Sequence, residues 1–355
     1  MFDRKFASLA LTASAVASII ACATPAIAHD VKDPVCRMTV DSDTTLFREK
    51  LGNKTFYFCS AHCRDEFLKS PKTYVTMADE LAAGKHKAYT LSLSTVPHPL
   101  AGHPTPIALS VRYSDDHAIV PKFELTHEEL LHLMMISDDL KWFEHQHPYR
   151  DASGIFRITW TFPHPGRYYL FCDYTPADGD NQVQRVTLDV GPGHRAPARG
   201  HLPAVTSSIK VSDMQVALQR QPGALKAGDT ALFTYRFRDA ATNKPITDMQ
   251  PFIGAMGHLM ILRKDKSKLI HTHVVGGVQS GSYQAAMLTM LQAGHDLVVT
   301  PDMATPTGPA FTFKFTLPAA GEYMTWAQFM RHNKVVTVPL AFRVQSKPST
   351  RSALR

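Results

Sequence analysis

The chain has 355 residues, 44% of them hydrophobic and 19% charged, which excludes a disordered protein and leaves room for two or three domains. Its net charge of +7 is spread along the chain with no Lys/Arg block, so it does not mark a nucleic-acid-binding face. Eighteen His and fourteen Met are ligand types for copper-like metals, although core filling is the ordinary fate of Met.

The first residues read as a targeting segment. Arg4 and Lys5 precede an Ala-rich apolar run from Ala7 to Ala23, and Ala26-Ile27-Ala28 is a small-x-small cleavage pattern. Residues 1–28 are therefore expected to be a signal peptide. The alternative is lipid attachment at Cys22, through the relaxed box Ile19-Ile20-Ala21-Cys22. No later run reaches the ~18 apolar residues of a membrane span. The expectation is an exported protein, periplasmic or secreted, in a compartment where cysteines can pair. Cleavage after Ala28 would leave His29 with a free amine beside its imidazole, a copper-chelating pair.

Residues 29–78 hold three of the five cysteines. The segment reads Asp33-Pro34-Val35-Cys36-Arg37-Met38, then Tyr57-Phe58-Cys59-Ser60-Ala61-His62-Cys63, then Phe67, Pro71 and Tyr74. So short a segment builds little core and needs a metal or a disulfide to hold it. Cys59 and Cys63 are four apart and share a face if helical. With Ser60 as cap, Cys59 lies just outside the helix and Cys63 in its first turn, where the helix dipole favours thiolate. Three thiolates suit Cu(I), and with His62 or water as a fourth ligand they suit zinc. A disulfide between two of them is the alternative.

These motifs resemble the YHS domain. The resemblance covers this segment alone and implies a small β-hairpin followed by a helix, with soft-metal binding by Cys36, Cys59 and Cys63. It also implies an association with heavy-metal transport, since such domains recur beside copper-transporting P-type ATPases. Arg37 departs from the pattern, where the family usually has Gly. The substitution is expected to alter the turn and to bring a positive charge near Cys36.

Residues 79–88 read as a linker or closing helix. Short alternating runs then appear, at Thr90–Leu93, Ile107–Val111, Ile155–Trp160 and Tyr168–Phe171, separated by Pro, Gly and Asp. They predict antiparallel strands in a sandwich. The pattern occurs twice. Leu131-His132-Leu133-Met134 matches Gly257-His258-Leu259-Met260, and His145-Gln146-His147 matches His271-Thr272-His273. Ala101-Gly102 matches Ala227-Gly228, and Gly166 matches Gly321. Two Ig-like or cupredoxin-like repeats are expected, at 89–190 and 208–345, joined by a Gly/Pro-rich link at 191–207 and followed by a polar tail at 346–355. The second carries an insertion with Met287, Met290, His295, Asp296 and Met303. The fold class is mainly β: a small α+β module followed by two tandem antiparallel β-sandwich repeats.

Each repeat offers a histidine trio. Leu130–Ser137 and Trp142–His147 read as paired strands around an Asp138-Asp139 turn, which sets residue 132 opposite 145. Side chains alternate with period two, so His132, His145 and His147 share a face. The same holds for His258, His271 and His273. Three imidazoles suit Cu(II), zinc or nickel; structural histidines that bind nothing are the alternative. Cys172 is expected to be a buried free thiol, because the second copy has Ala327 there and the ligand order does not fit a cupredoxin. Trp326, Gln328 and Phe329 look like core and rim. His127-Glu128-Glu129-Leu130-Leu131-His132 approaches a zinc-protease motif, but histidines five apart diverge by about 140° on a helix.

The sequence thus points to a non-catalytic, exported metal-binding protein that binds, buffers or delivers copper. Cu(I) belongs at the cysteines and Cu(II) at the histidines, with zinc as the alternative metal and an efflux transporter as a partner. A copper or thiol redox protein and a partner-binding scaffold are the other classes.

Overall fold

The computed structural model describes residues 30–42, 45, 47–59, 61–192, 207–253, 255–274 and 308–347. The signal peptide, Cys22, His29, Ser60, most of the 191–207 link, the insertion with its Met and His residues, and nearly all of the tail lie outside the described residues, as does the side chain of His62.

The N-terminal module has two hairpins, β1 (Asp30–Lys32) with β2 (Thr39–Asp41) and β3 (Phe47–Leu51) with β4 (Lys54–Phe58). Two helices follow, α1 (Ala61–Lys69) and α2 (Pro71–Ala82). Pro71 opens α2, where its fixed φ suits the first helical turn. Phe56, Phe58 and Phe67 pack around Val35, Cys36 and Cys63 in a small core.

The first sandwich has β5 (Tyr89–Thr95), β6 (Pro104–Tyr113), β7 (Phe123–Glu124), β8 (Leu131–Ser137), β9 (Phe143–Gln146), β10 (Tyr149–Arg150), β11 (Phe156–Thr161), β12 (Gly166–Pro176) and β13 (Gln182–Val190). The second has β14 (Ser208–Val211), β15 (Met214–Gln221), β16 (Thr230–Asp239), β17 (Met249–Gln250), β18 (His258–Arg263), β19 (Leu269–His273), β20 (Ala310–Thr316), β21 (Gly321–Arg331) and β22 (Lys334–Val344). Each has an outer sheet, β10-β11-β6-β5 or β14-β15-β16-β20. Each also has an inner sheet, ordered β13-β12-β8-β9 in the first and β22-β21-β18-β19 in the second. All the strand ladders are antiparallel, as the alternating runs predict. Gly102 and Gly228 take φ of 76° and 78° at matching turns, a region that suits a residue without Cβ.

The inner sheets pack against each other. Along β8, Leu131, Leu133 and Met135 face the first sandwich core, while Met134 and Ile136 face the second sandwich. Across the interface Met260, Leu262, Leu269, Met324 and Trp326 meet them, and Phe143 stacks on Trp326 with centroids 4.9 Å apart. A strand buried on both faces reads as an unbroken apolar run, which is why Leu131 to Ile136 does not alternate. Lys266 pairs with Asp138 at 2.9 Å across the same interface. Trp326 thus belongs to the contact between the sandwiches rather than to the core of one.

Arg37 docks the N-terminal module onto the first sandwich. Its φ of 61° is the left-handed conformation that glycine adopts freely, so the turn survives the departure from glycine. Its guanidinium reaches Val35 O, Met77 Sδ, Ala177 O at 3.3 Å and Glu124 at 3.8 Å. Thr175 Oγ1 donates to Cys36 O at 2.9 Å.

Trp326→Ala removes a fully enclosed aromatic from the interface. It is expected to lower the stability of the metal-free chain by about 3–5 kcal/mol, read as a drop in the urea midpoint. A midpoint unchanged from the parent would mean that the sandwiches do not hold each other.

Candidate metal centre

Cys36 lies in the turn between β1 and β2, Cys59 directly after β4, and Cys63 in the first turn of α1. Their sulfurs converge, Cys36 to Cys59 at 3.3 Å and Cys59 to Cys63 at 3.6 Å, and no disulfide joins them. A disulfide needs ~2.05 Å. Sulfurs tetrahedrally placed ~2.3 Å from a metal stand ~3.8 Å apart, close to the observed spacing.

Asp33 organises this turn. Its Oδ1 accepts from Val35 N at 2.8 Å and Cys36 N at 3.3 Å, and its Oδ2 accepts from Cys59 N at 2.8 Å. Burial and the neighbouring Cys36 push its carboxyl up to about 8, against the pull of those N–H groups. Burial also disfavours the Cys36 thiolate, but hydrogen bonds from Cys59 and Cys63 outweigh it and bring Cys36 well below the usual thiol range. Those same bonds to Cys36 push Cys59 and Cys63 up. Of the three, Cys36 is the sulfur whose thiolate its neighbours favour, and Cys59 and Cys63 are the ones that hold their protons.

The histidines sit on the inner-sheet faces that meet. Within the first hairpin Met134 pairs with His145 and Leu133 with Gln146, which aligns 132 with 147 and not with 145. In the second, His258 pairs with His273. The turn is longer than an Asp138-Asp139 pair: Ser137 N donates to Trp142 O, and Leu140 takes a φ of 61°. The register is thus two residues from expectation. A two-residue slip keeps every side chain on its face, so each trio still converges.

The ligand atoms of each trio lie within 4.8 Å of one another. His132 Nδ1 is 3.1 Å from both His145 Nε2 and His147 Nε2. His258 Nδ1 is 3.4 Å from His271 Nε2. The opposite ring nitrogens are anchored. His132 Nε2–H donates to Thr126 O at 2.7 Å, and His258 Nε2–H to Phe252 O at 3.0 Å. His145 Nδ1–H donates to Gln328 Oε1 and His271 Nδ1–H to Asp173 Oδ2, both at 3.0 Å. A neutral imidazole has one N–H. With that proton on the anchored side, His132 Nδ1 faces His145 Nε2 lone pair to lone pair, and so do His258 Nδ1 and His271 Nε2. Such an arrangement is stable around a cation, and anchoring of the outer N–H is what metal-bound histidines require.

Two of the anchors cross the interface. Gln328 of the second sandwich holds His145 of the first, and Asp173 of the first holds His271 of the second. They stand at matching positions, Asp173 opposite His132 and Gln328 opposite His258. The trios are adjacent, with His132 and His271 centroids 5.0 Å apart and His145 and His258 5.8 Å apart. The sequence reading places them in separate domains, sets Gln328 among core and rim residues, and singles out Cys172 rather than its neighbour Asp173. Cys172 itself points into the first sandwich core, away from the histidines, and burial pushes its thiol up.

Burial pushes His132 down to about 4. Burial likewise brings His145, His147 and His258 well below the usual imidazole range. For Asp173, burial raises the carboxyl but the hydrogen bond from His271 outweighs it, so it lies below its ordinary value.

The chain belongs to the family described as a domain of unknown function, DUF8832, which matches residues 82–191 and 209–346. Residues 31–78 match the YHS domain. Over 46 residues the chain is 41% identical to a copper-transporting P-type ATPase of Rhizobium leguminosarum bv. viciae, a match that takes in 13% of this chain and 6% of that protein. Solved structures similar to it include the soluble domain of PmoD from Methylocystis sp., with 14% identity, 39% of this chain, 96% of that chain and a TM-score of 0.21. The Escherichia coli adhesin FdeC gives 11% identity, 73% of this chain, 65% of that chain and a TM-score of 0.21. No helix among the described residues is long and apolar enough to cross a membrane.

Two outcomes follow. Asp33→Asn keeps the volume but replaces an acceptor oxygen, and is expected to weaken metal binding at the cysteines by roughly 10–100-fold, measured by competition with a Cu(I) chelator. Separately, His132 stays neutral in the folded protein down to about 4, whereas in the unfolded chain it protonates near its ordinary 6.5. Between those values the unfolded chain binds more protons. The metal-free protein should therefore lose stability as pH falls from about 6.5 towards 4, and thermal unfolding across that window checks it. Loaded protein should hold its melting temperature further into acid.

Proposed function

We propose that this chain is an exported, non-catalytic metal-handling protein that binds copper, buffers it and passes it to a transport partner. The observation that carries this reading is the convergence of inner ring nitrogens, 3.1 Å apart in the first trio and 3.4 Å in the second, with the outer ring nitrogens held by acceptors. Protein side chains are arranged this way to hold a cation. The cysteine set supports the same reading with soft donors, which suit Cu(I), while the imidazoles suit Cu(II), with zinc as the second metal. The YHS match and the likeness to a copper-transporting ATPase point to copper among these.

Ala26-Ile27-Ala28 supports export, and a bound metal would keep the three thiols reduced in an oxidising compartment. The module's position supports handover within the chain. Thr175 Oγ1 donates to Cys36 O at 2.9 Å and accepts from Asn181 Nδ2 at 3.2 Å. Asn181 also donates to Asp173 Oδ1 at 2.7 Å, and Asp173 holds His271. Only a few side chains separate the soft donors from the imidazoles.

The test is metal content by elemental analysis after loading with Cu(I) under reducing conditions, or with Cu(II). The Cys36→Ser, Cys59→Ser, Cys63→Ser variant should lose Cu(I) and keep Cu(II). The His132→Ala, His258→Ala variant should do the reverse. Equal metal in the parent and both variants would remove the reading.

A further inference from the structure

His127 is the histidine that neither trio includes. It stands in the two-residue turn between Thr126 and Glu129, which is closed by hydrogen bonds of 2.9 and 3.2 Å. His127 and Glu128 both take left-handed φ, 46° and 72°, in a turn type that ordinarily selects Asn-Gly. The turn carries the His127 ring out of the first sandwich and onto the second trio. Its centroid lies 3.4 Å from that of His273 and 6.2 Å from that of His258. His127 is only 4% exposed, yet neither of its ring nitrogens has a hydrogen-bond partner, and Nε2 of His273 has none. Buried polar atoms almost always find a partner, so three together, beside two further imidazoles, call for a ligand.

The second sandwich repeats the turn but not the residue. Phe252 and Ala255 close it with bonds of 2.9 and 3.2 Å, and Ile253 takes a φ of 47° in the place of His127. Isoleucine offers no ligand atom. The scaffold is matched on the two sides, and the donors are not.

We propose that the two trios form one two-ion centre shared between the sandwiches, in which His127 is a fourth imidazole for the ion at His258, His271 and His273. The ion at His132, His145 and His147 keeps three imidazoles and an open position. This rests on the trios being metal sites at all. Four nitrogen donors close the coordination of a borderline divalent ion such as Cu(II) or zinc and retain it, whereas three leave a place for an incoming or departing ligand. One ion is therefore held and its neighbour exchanges. The crossed anchors, Asp173 to His271 and Gln328 to His145, make each site depend on both sandwiches.

The experiment uses the full chain with Cys36→Ser, Cys59→Ser and Cys63→Ser, so that only histidines bind. Cu(II) is titrated by calorimetry and followed by electron paramagnetic resonance. Two ions per chain in two classes are expected, the tighter showing four nitrogen donors. His127→Phe keeps a ring against His273 but no ligand atom. It should weaken the tighter class roughly tenfold or more and move its spectrum to three nitrogens, leaving the other class unchanged. His147→Phe should weaken the other class alone. Metal-free melts establish that each variant folds, and His127→Gln replaces His127→Phe if that one does not. Two unchanged classes in the His127 variant would overturn the fourth ligand and leave the trios standing. A single ion per chain would overturn the two-ion centre. No Cu(II) bound by the parent would overturn the trios, and this inference with them.

Discussion

Ring nitrogens facing each other across 3.1 and 3.4 Å between two packed sheets are what the rest of this structure answers to. Four of the imidazoles, His132, His145, His258 and His271, have the outer proton drawn away by a carbonyl, an amide or a carboxylate. Their inner nitrogens are then left as acceptors that face one another. Neutral rings repel in that arrangement, and protonating them costs the burial of charge, which is why burial lowers His132, His145 and His258. A metal ion resolves both conflicts. The apolar contact between the inner sheets and the histidine cluster are in this sense one interface. Met134, Met260 and Trp326 form the apolar part of the contact, and the imidazoles stand on the same sheet faces beside it.

Much of this was legible in the chain. Cys36, Cys59 and Cys63 follow a motif whose spacing brings three sulfurs together, the β runs mark strands of the first sandwich, and the internal repeat extends that reading to the second. The histidine trios were legible for a reason of parity. The hairpin register is two residues from a simple reading of the Asp138-Asp139 turn, because Leu140 takes a left-handed conformation that lengthens the loop. A shift of two returns every side chain to its face, whereas a shift of one would have scattered them. Period two makes the face robust where the partner is not.

What stayed hidden is the pairing of the two hairpins. Nothing local says that a strand in one sandwich lies against a strand in the other, and the sequence distance between His145 and Gln328 carries no signal of contact. One trace exists: Leu131 to Ile136 and His258 to Leu262 are too continuously apolar for strands with a wet face. Asp173 and Gln328 are invisible for the same reason, since their roles exist only across the interface. His127 was noticed through a helical motif that fails on spacing. In a tight turn the same residue leaves its own sheet and reaches the other sandwich, a direction that helix geometry does not anticipate.

The position of the three sulfurs beside the first sandwich follows from Arg37. A left-handed non-glycine residue costs about 1–2 kcal/mol against the ordinary conformation. Glycine at this position would avoid that cost and keep the turn, so the turn alone does not call for arginine. What arginine adds is the set of contacts to Glu124 and Ala177, which hold the module on the first sandwich. Those contacts place Cys36 O on Thr175, two residues from the carboxylate that orients His271. The strain is accepted to fix orientation, and the orientation sets soft sulfur donors beside borderline nitrogen donors. Cu(I) and Cu(II) differ in their preference between these two donor types. The adjacency of sulfur and imidazole belongs to this chain's assembly and to neither module alone.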